Sequence, residues 1–240
     1  MSGYRGRGLH GEVVERLGRR ILAGDLDVGE TLEMTRLEDE LDVSRSVMRE
    51  ALRVLKAKGL VDARQKRGTF VQPRTEWKLL DSDVIRWQLE GHADQKLMDD
   101  LAEFREVVEP ASAGLAALRR TEDDLAAMEQ ALERMSAAAG GDGDPVAADL
   151  AFHRAVLVAT HNELLIRTEA VLEAALGLRD RVVHDAIEVD PTPDHAEVLA
   201  AIRDGDAERA VSAAKRLLTT AVVDLDRARG NRAKGTRKRS

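Results

Sequence analysis

The stretch D42-V-S-R-S-V-M-R-E-A-L-R-V-L-K-A-K-G59 has the pattern of one amphipathic helix with a marked beginning and end. Ser44 favours a helix start, because its hydroxyl can accept a hydrogen bond from an amide of the first turn, and Gly59 favours a helix end. The first two turns present polar side chains, those of Arg45, Ser46 and Arg49. One face of the helix is apolar, and it consists of Val47, Ala51, Leu52 and Leu55.

The residues around this stretch predict two earlier helices and a later hairpin. Apolar residues recur at helical spacing over residues 9–21 and again over residues 32–41. The segment L60-V-D-A-R-Q-K-R-G-T-F-V71 alternates like a two-stranded hairpin with its tip at residues 66–68. Three helices followed by a small β-hairpin form a winged helix-turn-helix, which places a helix in the major groove of DNA. We therefore expect residues 1–74 to be a DNA-binding domain.

We expect the DNA contacts to come from the start of the third helix and from the wing. Arginines at a helix N-terminus in the major groove reach base edges, while hydroxyls and backbone amides meet phosphates. Taken alone, arginines on a helix usually form only a solvated face, but the winged context favours DNA. The candidate DNA-binding residues are Ser44, Arg45, Ser46, Arg49, Lys66, Arg67 and Gly68.

Charge divides the chain into a basic head, an acidic body and a basic tail. Residues 1–74 carry 15 Lys and Arg against 12 Asp and Glu, residues 75–226 carry 15 against 32, and residues 227–240 carry 7 against none. We therefore expect a polyanion such as DNA at the head and not at the body. Aromatic residues make up 2% and cysteine is absent, which favours a mostly α fold and suits a reducing cytoplasm. No stretch approaches the ~20 apolar residues of a membrane span, so no membrane partner is expected.

The first domain resembles the GntR family of bacterial transcription regulators. The segment V43-S-R-S-V-M-R-E-A-L-R-V-L-K-A-K-G-L-V61 is similar to its winged-helix signature, and I21-L-A-G-D-L-D-V-G-E-T-L32 is similar to the segment that precedes it. The chain departs from the family at Asp42, where glycine is usual, and at residues 33–35, which usually read Ser-Glu-Arg. The second departure removes an arginine that is expected to contact phosphate, and Arg36 is its neighbouring substitute.

The remainder of the chain has helical periodicity. Residues 75–92 predict a linker helix anchored by Trp87, and residues 93–228 predict a helical bundle. The bundle resembles the all-helical FCD domain of the FadR branch of the same family, which implies effector binding and dimerisation. The linker resembles that of FCD repressors of sugar-acid operons. The similarity lies in the FREVVEP run that begins at Phe104, D149-L-A-F-H-R-A-V156, Asn162 and H195-A-E-V-L-A-A-I-R-D-G-D206.

An aspartate and two histidines are candidate metal ligands. Asp149 and His153 stand four residues apart on one helix face, a spacing that more often gives a surface hydrogen bond, and a lone His195 is usually structural. Together they match the order of ligands in metal-binding FCD domains, so the resemblance implies a divalent metal such as Zn, Ni or Mn. Those domains commonly add a fourth histidine where this chain has Leu217. We therefore expect three protein ligands and open positions for water or an organic anion.

Arg105 and Asn162 are candidate contacts for an effector. Arg105 lies among apolar residues of its helix, and a buried arginine requires an anionic partner. That partner is either Glu109, four residues on, or an effector carboxylate, as the family resemblance suggests. Asn162 is either the N-cap of the following helix or a polar contact in the pocket. The resemblance implies a small carboxylate such as a sugar acid.

The sequence predicts a homodimeric transcription regulator, specifically a repressor, with no catalytic residues. A dimer is expected because one helix-turn-helix reads only a few base pairs, whereas two copies read a palindromic operator. One alternative is a metal-dependent hydrolase built on the same three ligands, although no general base is evident near them. Another is a regulator that senses the metal itself. We expect His92, His161 and His184 to be solvated and residues 229–240 to be a disordered basic tail.

Overall fold

A computed structural model describes the backbone of residues 8–90, 95–183 and 190–237, and the side chains of residues 8–90, 96–177 and 190–223. The described backbone is mostly helical and contains an antiparallel hairpin, which confirms the predicted fold class. The chain divides into two compact units, Met1–Asp94 and Gln95–Ser240. In the part of the chain described, no helix has both the length and the apolar character to cross a membrane.

The first unit has the predicted order of three helices and a hairpin, followed by a further helix. In the hairpin, Val61 pairs with Val71 and Arg64 pairs with Gly68, so the tip lies between residues 64 and 68. The elements are α1 (Leu9–Ala23), α2 (Met34–Leu41), α3 (Arg45–Ala57), β1 (Val61–Arg64), β2 (Gly68–Val71), a 3-10 turn (Arg74–Glu76) and α4 (Ser82–Glu90).

Asp42 ends α2 in a left-handed backbone conformation, with a φ of 51°. Its amide donates to carbonyl oxygens in the last turn of α2, which closes the helix before α3 begins. Aspartate tolerates this conformation better than most side chains do. Asp42, in place of the usual glycine, therefore still permits the turn between α2 and α3.

α4 packs on α1 through Trp87, whose side chain is fully buried. A Cβ atom at Gly18 would lie 2.6 Å from the Trp87 ring, so the close approach of the two helices requires glycine at this position. Trp87 Nε1 donates a hydrogen bond of 2.8 Å to Glu15, and Arg86 donates to both oxygens of the same carboxylate. The connector predicted between the domains thus contributes a helix to the core of the first unit.

Ion pairs join the end of α3 to the start of α4. Lys58 Nζ lies 2.7 Å from Asp81 Oδ1 and 2.8 Å from Asp83 Oδ2. Asp81 also accepts hydrogen bonds from the amides of Asp83 and Val84, which satisfies the first turn of α4. The helix that carries the candidate DNA-reading residues is therefore fixed at its far end.

The second unit is a bundle whose core is rich in alanine. Small side chains let the helices approach closely, as at Gly114, where a Cβ atom would lie 2.8 Å from Val211. Phe152 and Met128 are the largest side chains of the core between α5, α6, α7, α10 and α11. The helices are α5 (Gln95–Arg119), α6 (Glu122–Ala139), α7 (Pro145–Ala159), α8 (Glu163–Ile166), α9 (Glu169–Val183), α10 (Thr192–Asp204) and α11 (Ala207–Arg237).

The prediction of a disordered tail from residue 229 needs correction, because α11 continues to Arg237. The absence of large apolar residues argues against packing of the tail and does not argue against a helix. Residues 229–237 combine good helix formers, alanine, arginine and lysine, with Gly230 and Gly235, which disfavour a helix. A helix that is already formed upstream adds residues without a new nucleation cost.

Candidate functional site

The three candidate metal ligands lie together in the interior of the second unit. Asp149 and His153 are one turn apart on α7, and His195 is in the first turn of α10. His195 Nε2 lies 3.0 Å from Asp149 Oδ1 and 3.4 Å from His153 Nε2, and His153 Nε2 lies 3.6 Å from Asp149 Oδ1. All three side chains are buried. Among the described residues, this is the cluster of three with ligand atoms close enough to hold one metal ion.

A hydrogen bond to the backbone orients His195. Its Nδ1 lies 2.7 Å from the carbonyl oxygen of Pro191, which can only accept, so Nδ1 carries a proton. In the neutral ring the lone pair is then on Nε2, the atom that faces Asp149 and His153. Such a bond on the outer nitrogen is the usual way in which a metal-binding histidine is held.

A carboxylate orients His153 in the same way. His153 Nδ1 lies 2.8 Å from Glu109 Oε2, and the other oxygen of Glu109 accepts from Arg105 Nε at 2.5 Å. Because a carboxylate accepts, Nδ1 is the donor and Nε2 is turned towards the cluster. Glu109 therefore links Arg105 to a candidate ligand.

Asp149 is a buried carboxylate that lies next to the imidazole nitrogens of His153 and His195. Neither of its oxygens has a well-aligned hydrogen bond from a described residue. Burying a carboxylate costs several kcal/mol or more, unless a cation compensates for the lost water, and in this cluster protonated His153 or a metal ion can supply that charge. An oxygen donor of this kind beside two imidazole nitrogens fits a divalent cation.

The charges at the cluster shift the pKa values of its members. Burial lowers the pKa of His153, but Glu109 and Asp149 outweigh burial and raise that pKa to about 9. Burial raises the pKa of each carboxyl, but the charge of His153 prevails at both, with Arg105 adding to it at Glu109, so the pKa of Glu109 falls to about 2 and that of Asp149 lies well below its usual range. Among the described residues of the site, the two carboxylates therefore lie beside two cations, Arg105 and protonated His153.

A small cavity adjoins His153. Its volume is about 20 Å³, which is near the space required by one water molecule. Glu109, Ser112 and His153 supply the polar part of the lining, and Leu217 lies on the apolar part. The position where related domains commonly have a fourth histidine is thus beside His153, and here it carries no ligand atom.

The other predicted site residues take different places. Arg105 is buried and paired with Glu109, and Asn162 caps α8 by accepting hydrogen bonds from the amides of the first turn. Neither lines the cavity beside His153. His161 contacts Asp124 at 2.8 Å and its side chain is 47% exposed, as expected for a solvated residue. His92 and His184 lie outside the described residues.

Sequence reasoning missed two residues of this site. It named Glu109 solely as a partner for Arg105, and it did not consider Ser112, whose buried Oγ has no hydrogen-bond partner among the described residues. Arg105, Glu109 and Ser112 are at positions i, i+4 and i+7, so they form a polar stripe on one face of α5. That stripe is visible in the sequence and indicates a polar interior.

The start of α3 exposes the residues predicted to read DNA. Ser44 is the N-cap, since its hydroxyl accepts from the amide of Val47, and it also contacts the hydroxyl of Ser46 at 2.9 Å. The side chains of Arg45 and Arg49 are exposed in the first two turns. The N-terminus of α3 thus presents hydroxyls, amides and two guanidinium groups on one surface.

The wing holds the side chain of Arg67 in place. Arg67 lies over the ring of Phe70, 3.8 Å from its centroid, and donates a 2.8 Å hydrogen bond to the carbonyl oxygen of Gly29. Lys66 and Gly68 have positive φ values of 67° and 83° and are exposed at the tip. Arg36 is also exposed, on α2.

The fold and the exposed start of α3 define a winged-helix DNA-binding protein with a helical second domain. Comparison with known proteins gives the family. Residues 9–71 match the bacterial regulatory proteins of the gntR family, and residues 100–220 match the FCD domain. The chain belongs to the GntR family of transcriptional regulators, in the group that carries an FCD domain.

Individual relatives agree with this assignment. The galactonate operon transcriptional repressor of Escherichia coli is 35% identical over 220 residues, which span 89% of this chain and 95% of the relative. The transcriptional regulator LutR of Bacillus subtilis is 37% identical over 143 residues, covering 59% of this chain and 64% of LutR. A solved structure of Streptococcus agalactiae GntR covers 89% of this chain and 98% of its own, with a TM-score of 0.50 and 25% identity. These relatives are regulators and not enzymes, which removes the hydrolase alternative.

Proposed function

We propose that this chain is a homodimeric repressor whose second unit binds a small carboxylate with the help of a divalent cation. Asp149, His153 and His195 would hold the cation, and residues 1–74 would bind the operator. Residues 75–92 would link this domain to an effector and dimerisation domain of residues 93–228. The single observation that carries the proposal is the buried cluster of the Asp149 carboxylate and two histidine nitrogens, in which no described residue gives Asp149 a well-aligned hydrogen bond.

The charge count supports an anionic ligand. A divalent cation requires the lone pair of His153 Nε2, so it displaces the proton that this ring carries in the metal-free site. Replacing that proton with a divalent cation raises the charge of the site by one. In a buried place this added positive charge favours an anion.

The donor set supports zinc, nickel or manganese. Two imidazole nitrogens and one carboxylate oxygen are ligands that these ions share. A bound cation supplies electrostatic attraction for a carboxylate at its open positions. Leu217 keeps one side of His153 free of a further protein ligand, so an organic anion has room to coordinate.

The class of effector follows from similarity and charge together. The relative that covers nearly all of this chain is named a galactonate operon repressor, and galactonate is a sugar acid. A sugar acid brings the carboxylate that the charge count requires. Signal transmission then needs a difference in the affinity of the effector for the DNA-binding and the non-binding arrangements of the dimer.

The proposal is tested by measuring operator affinity under four conditions. The full chain is titrated onto operator DNA with no addition, with Zn²⁺, Ni²⁺ or Mn²⁺ alone, with D-galactonate alone, and with both. We expect release of DNA when both are present and little change with either alone. Release by the metal alone would favour the metal-sensing alternative and contradict this proposal, as would an equal response to the acid after chelation.

Assembly is tested separately. Two copies on a palindromic operator are required if each winged unit reads one half-site. Sedimentation of the protein and of its DNA complex should give a dimer and a two-to-one complex. A monomer that shifts DNA as a single copy would contradict the dimer.

A further inference from the structure

Ser112 has a hydroxyl group that the fold does not use. The residue is 1% exposed on α5, and its Oγ has no hydrogen-bond partner among the described residues. A helical serine usually bonds to the carbonyl oxygen four residues earlier, but Ser112 does not. An unpaired buried hydroxyl destabilises a folded protein, so a hydroxyl that no described residue satisfies is available to a bound ligand.

Ser112 is one of the residues that line the cavity beside His153. That cavity has a volume of about 20 Å³, so an oxygen of a bound ligand can enter it. Glu109, which also lines it, is already engaged by Arg105 and by His153. Among the described lining residues, Ser112 is therefore the polar side chain with hydrogen-bonding capacity to spare.

Apolar side chains form the remainder of the described lining, including Phe152, Leu172, Val198 and Leu217. A polar group that enters such a cavity must find its hydrogen bond at Ser112, or lose the bond it had with water. A methyl group entering the same place would leave the serine hydroxyl unpaired. The cavity can thus discriminate between an oxygen and a methyl or hydrogen at one position of a ligand.

We propose that Ser112 is a subsite for one oxygen of the effector, a hydroxyl or oxo group on a carbon close to the carboxylate. The proposal rests on the function proposed above, since it places the carboxylate at the cation cluster. The bound oxygen is expected close to the carboxylate because His153 contributes Nε2 to the cluster and also lines the cavity. A serine hydroxyl donates and accepts, so 2-hydroxy, 3-hydroxy and 2-oxo acids all fit this chemistry.

The experiment compares pairs of acids that differ by one oxygen. Calorimetry on the metal-loaded full chain measures D-galactonate against its 2-deoxy and 3-deoxy derivatives, and lactate and 3-hydroxypropionate against propionate. We expect the wild type to prefer a hydroxy acid to its deoxy counterpart by about 10-fold or more, because a site built to bond a hydroxyl rejects the analogue that lacks it. In Ser112→Ala the ratio of the affinity for the hydroxy acid to the affinity for its deoxy counterpart should fall towards one, because the hydroxy acid binds more weakly.

Two controls separate this role from a structural one. Ser136→Ala removes an exposed helical serine on α6 and should leave both affinities unchanged. The melting temperature of metal-free Ser112→Ala should equal or exceed that of the wild type, because the change removes an unpaired buried group and keeps the volume nearly constant. Equal weakening of both acids, or a lower melting temperature, would show a structural role and overturn the proposal.

The result also distinguishes this inference from the proposed function. If the acids bind the metal-loaded wild type and Ser112→Ala has the same affinity ratio for hydroxy and deoxy acids, the proposed carboxylate-binding function stands and the Ser112 subsite is wrong. If none of the acids binds the metal-loaded wild type, both are wrong.

Discussion

His195 Nε2 and Asp149 Oδ1 lie 3.0 Å apart although they belong to different helices, α10 and α7. This proximity exists solely when the second unit is folded. A cation bound between them therefore binds the native state in preference to the unfolded chain, and binding energy adds to stability.

Metal should raise the melting temperature of the chain. At a free concentration 100 times the dissociation constant, the expected stabilisation is about 2.7 kcal/mol. Thermal unfolding with Zn²⁺, Ni²⁺ and Mn²⁺ measures it, and Asp149→Asn, which removes one charge and keeps the shape, should abolish the shift. If none of these ions changes the wild-type melting temperature, the cluster does not hold a metal.

Metal binding should release a proton at neutral pH. The pKa of His153 is raised from 6.5 to about 9, because Glu109 and Asp149 outweigh the effect of burial, so the ring is charged at pH 7 and must lose a proton to coordinate. Calorimetry in buffers of different ionisation enthalpy should give about one proton per metal ion. The affinity should rise with pH up to about 9 and then level. Affinity that is constant between pH 7 and 9 would contradict a charged His153.

The same pKa shift has an effect on the metal-free fold. A raised pKa in the folded state contributes stability that is complete below the unfolded value of 6.5 and is lost as pH rises to about 9. Metal-free protein should therefore become less stable over this interval, while the metal-loaded protein should not show this loss.

Leu217→His should tighten metal binding. Leu217 lines the same cavity as His153, so an imidazole there can add a fourth ligand. The variant should hold metal through dialysis against a weak chelator and should respond less to the effector, because the added ligand occupies the open position. Leu217→Met, which keeps the volume without a ring nitrogen, is the control, and equal metal retention in both variants would contradict this role of position 217.

Arg45 and Arg49 should contribute to operator sequence preference. Replacing either with alanine is expected to cost about 1–3 kcal/mol on the operator and much less on random DNA. Arg53 is a matched control, since it is exposed on the same helix and pairs with Glu50. Arg53→Ala should change neither the affinity for the operator nor the affinity for random DNA. Equal losses of Arg45→Ala on operator and random DNA would identify a phosphate contact instead.

Lys66 and Arg67, the two basic residues at the tip of the wing, should behave differently. Lys66→Ala should reduce the salt dependence of binding by about one phosphate contact and leave stability unchanged. Arg67→Ala should also lower the stability of the first unit, because it removes the stacking on Phe70 and the hydrogen bond to Gly29. Salt titrations of operator binding and thermal unfolding measure the two effects. If Arg67→Ala leaves the melting temperature unchanged, the stacking does not stabilise the wing.

The sequence was sufficient where local pattern determines structure. Ser44 marks the start of α3, and the spacing of Asp149 and His153 places them on one face of α7. Each of these inferences uses residues within a few turns of each other. The meeting of His195 with that face depends on how α10 packs, and for this step a family resemblance was required.

Other features depend on tertiary packing that no local pattern contains. The sequence left open whether Arg105 meets Glu109 or an effector carboxylate. Arg105 pairs with Glu109 four residues on along α5, and its contact with an effector, which depends on the surroundings of the pair, stays a prediction. The lack of a partner for Ser112 among the described residues is likewise a property of its surroundings and not of its neighbours in sequence. At the C-terminus, α11 continues to Arg237 where composition suggested disorder.

Trp77 and Trp87 are the two tryptophans of the chain, and both belong to the first unit. Trp87 is buried against Gly18, and the indole nitrogen of Trp77 donates to the carbonyl oxygen of Gln72. Selectively excited tryptophan fluorescence therefore observes the DNA-binding half and is blind to the helical bundle. An emission change on adding an acid that binds the bundle is then a direct optical record of communication between the halves, obtained without any introduced label.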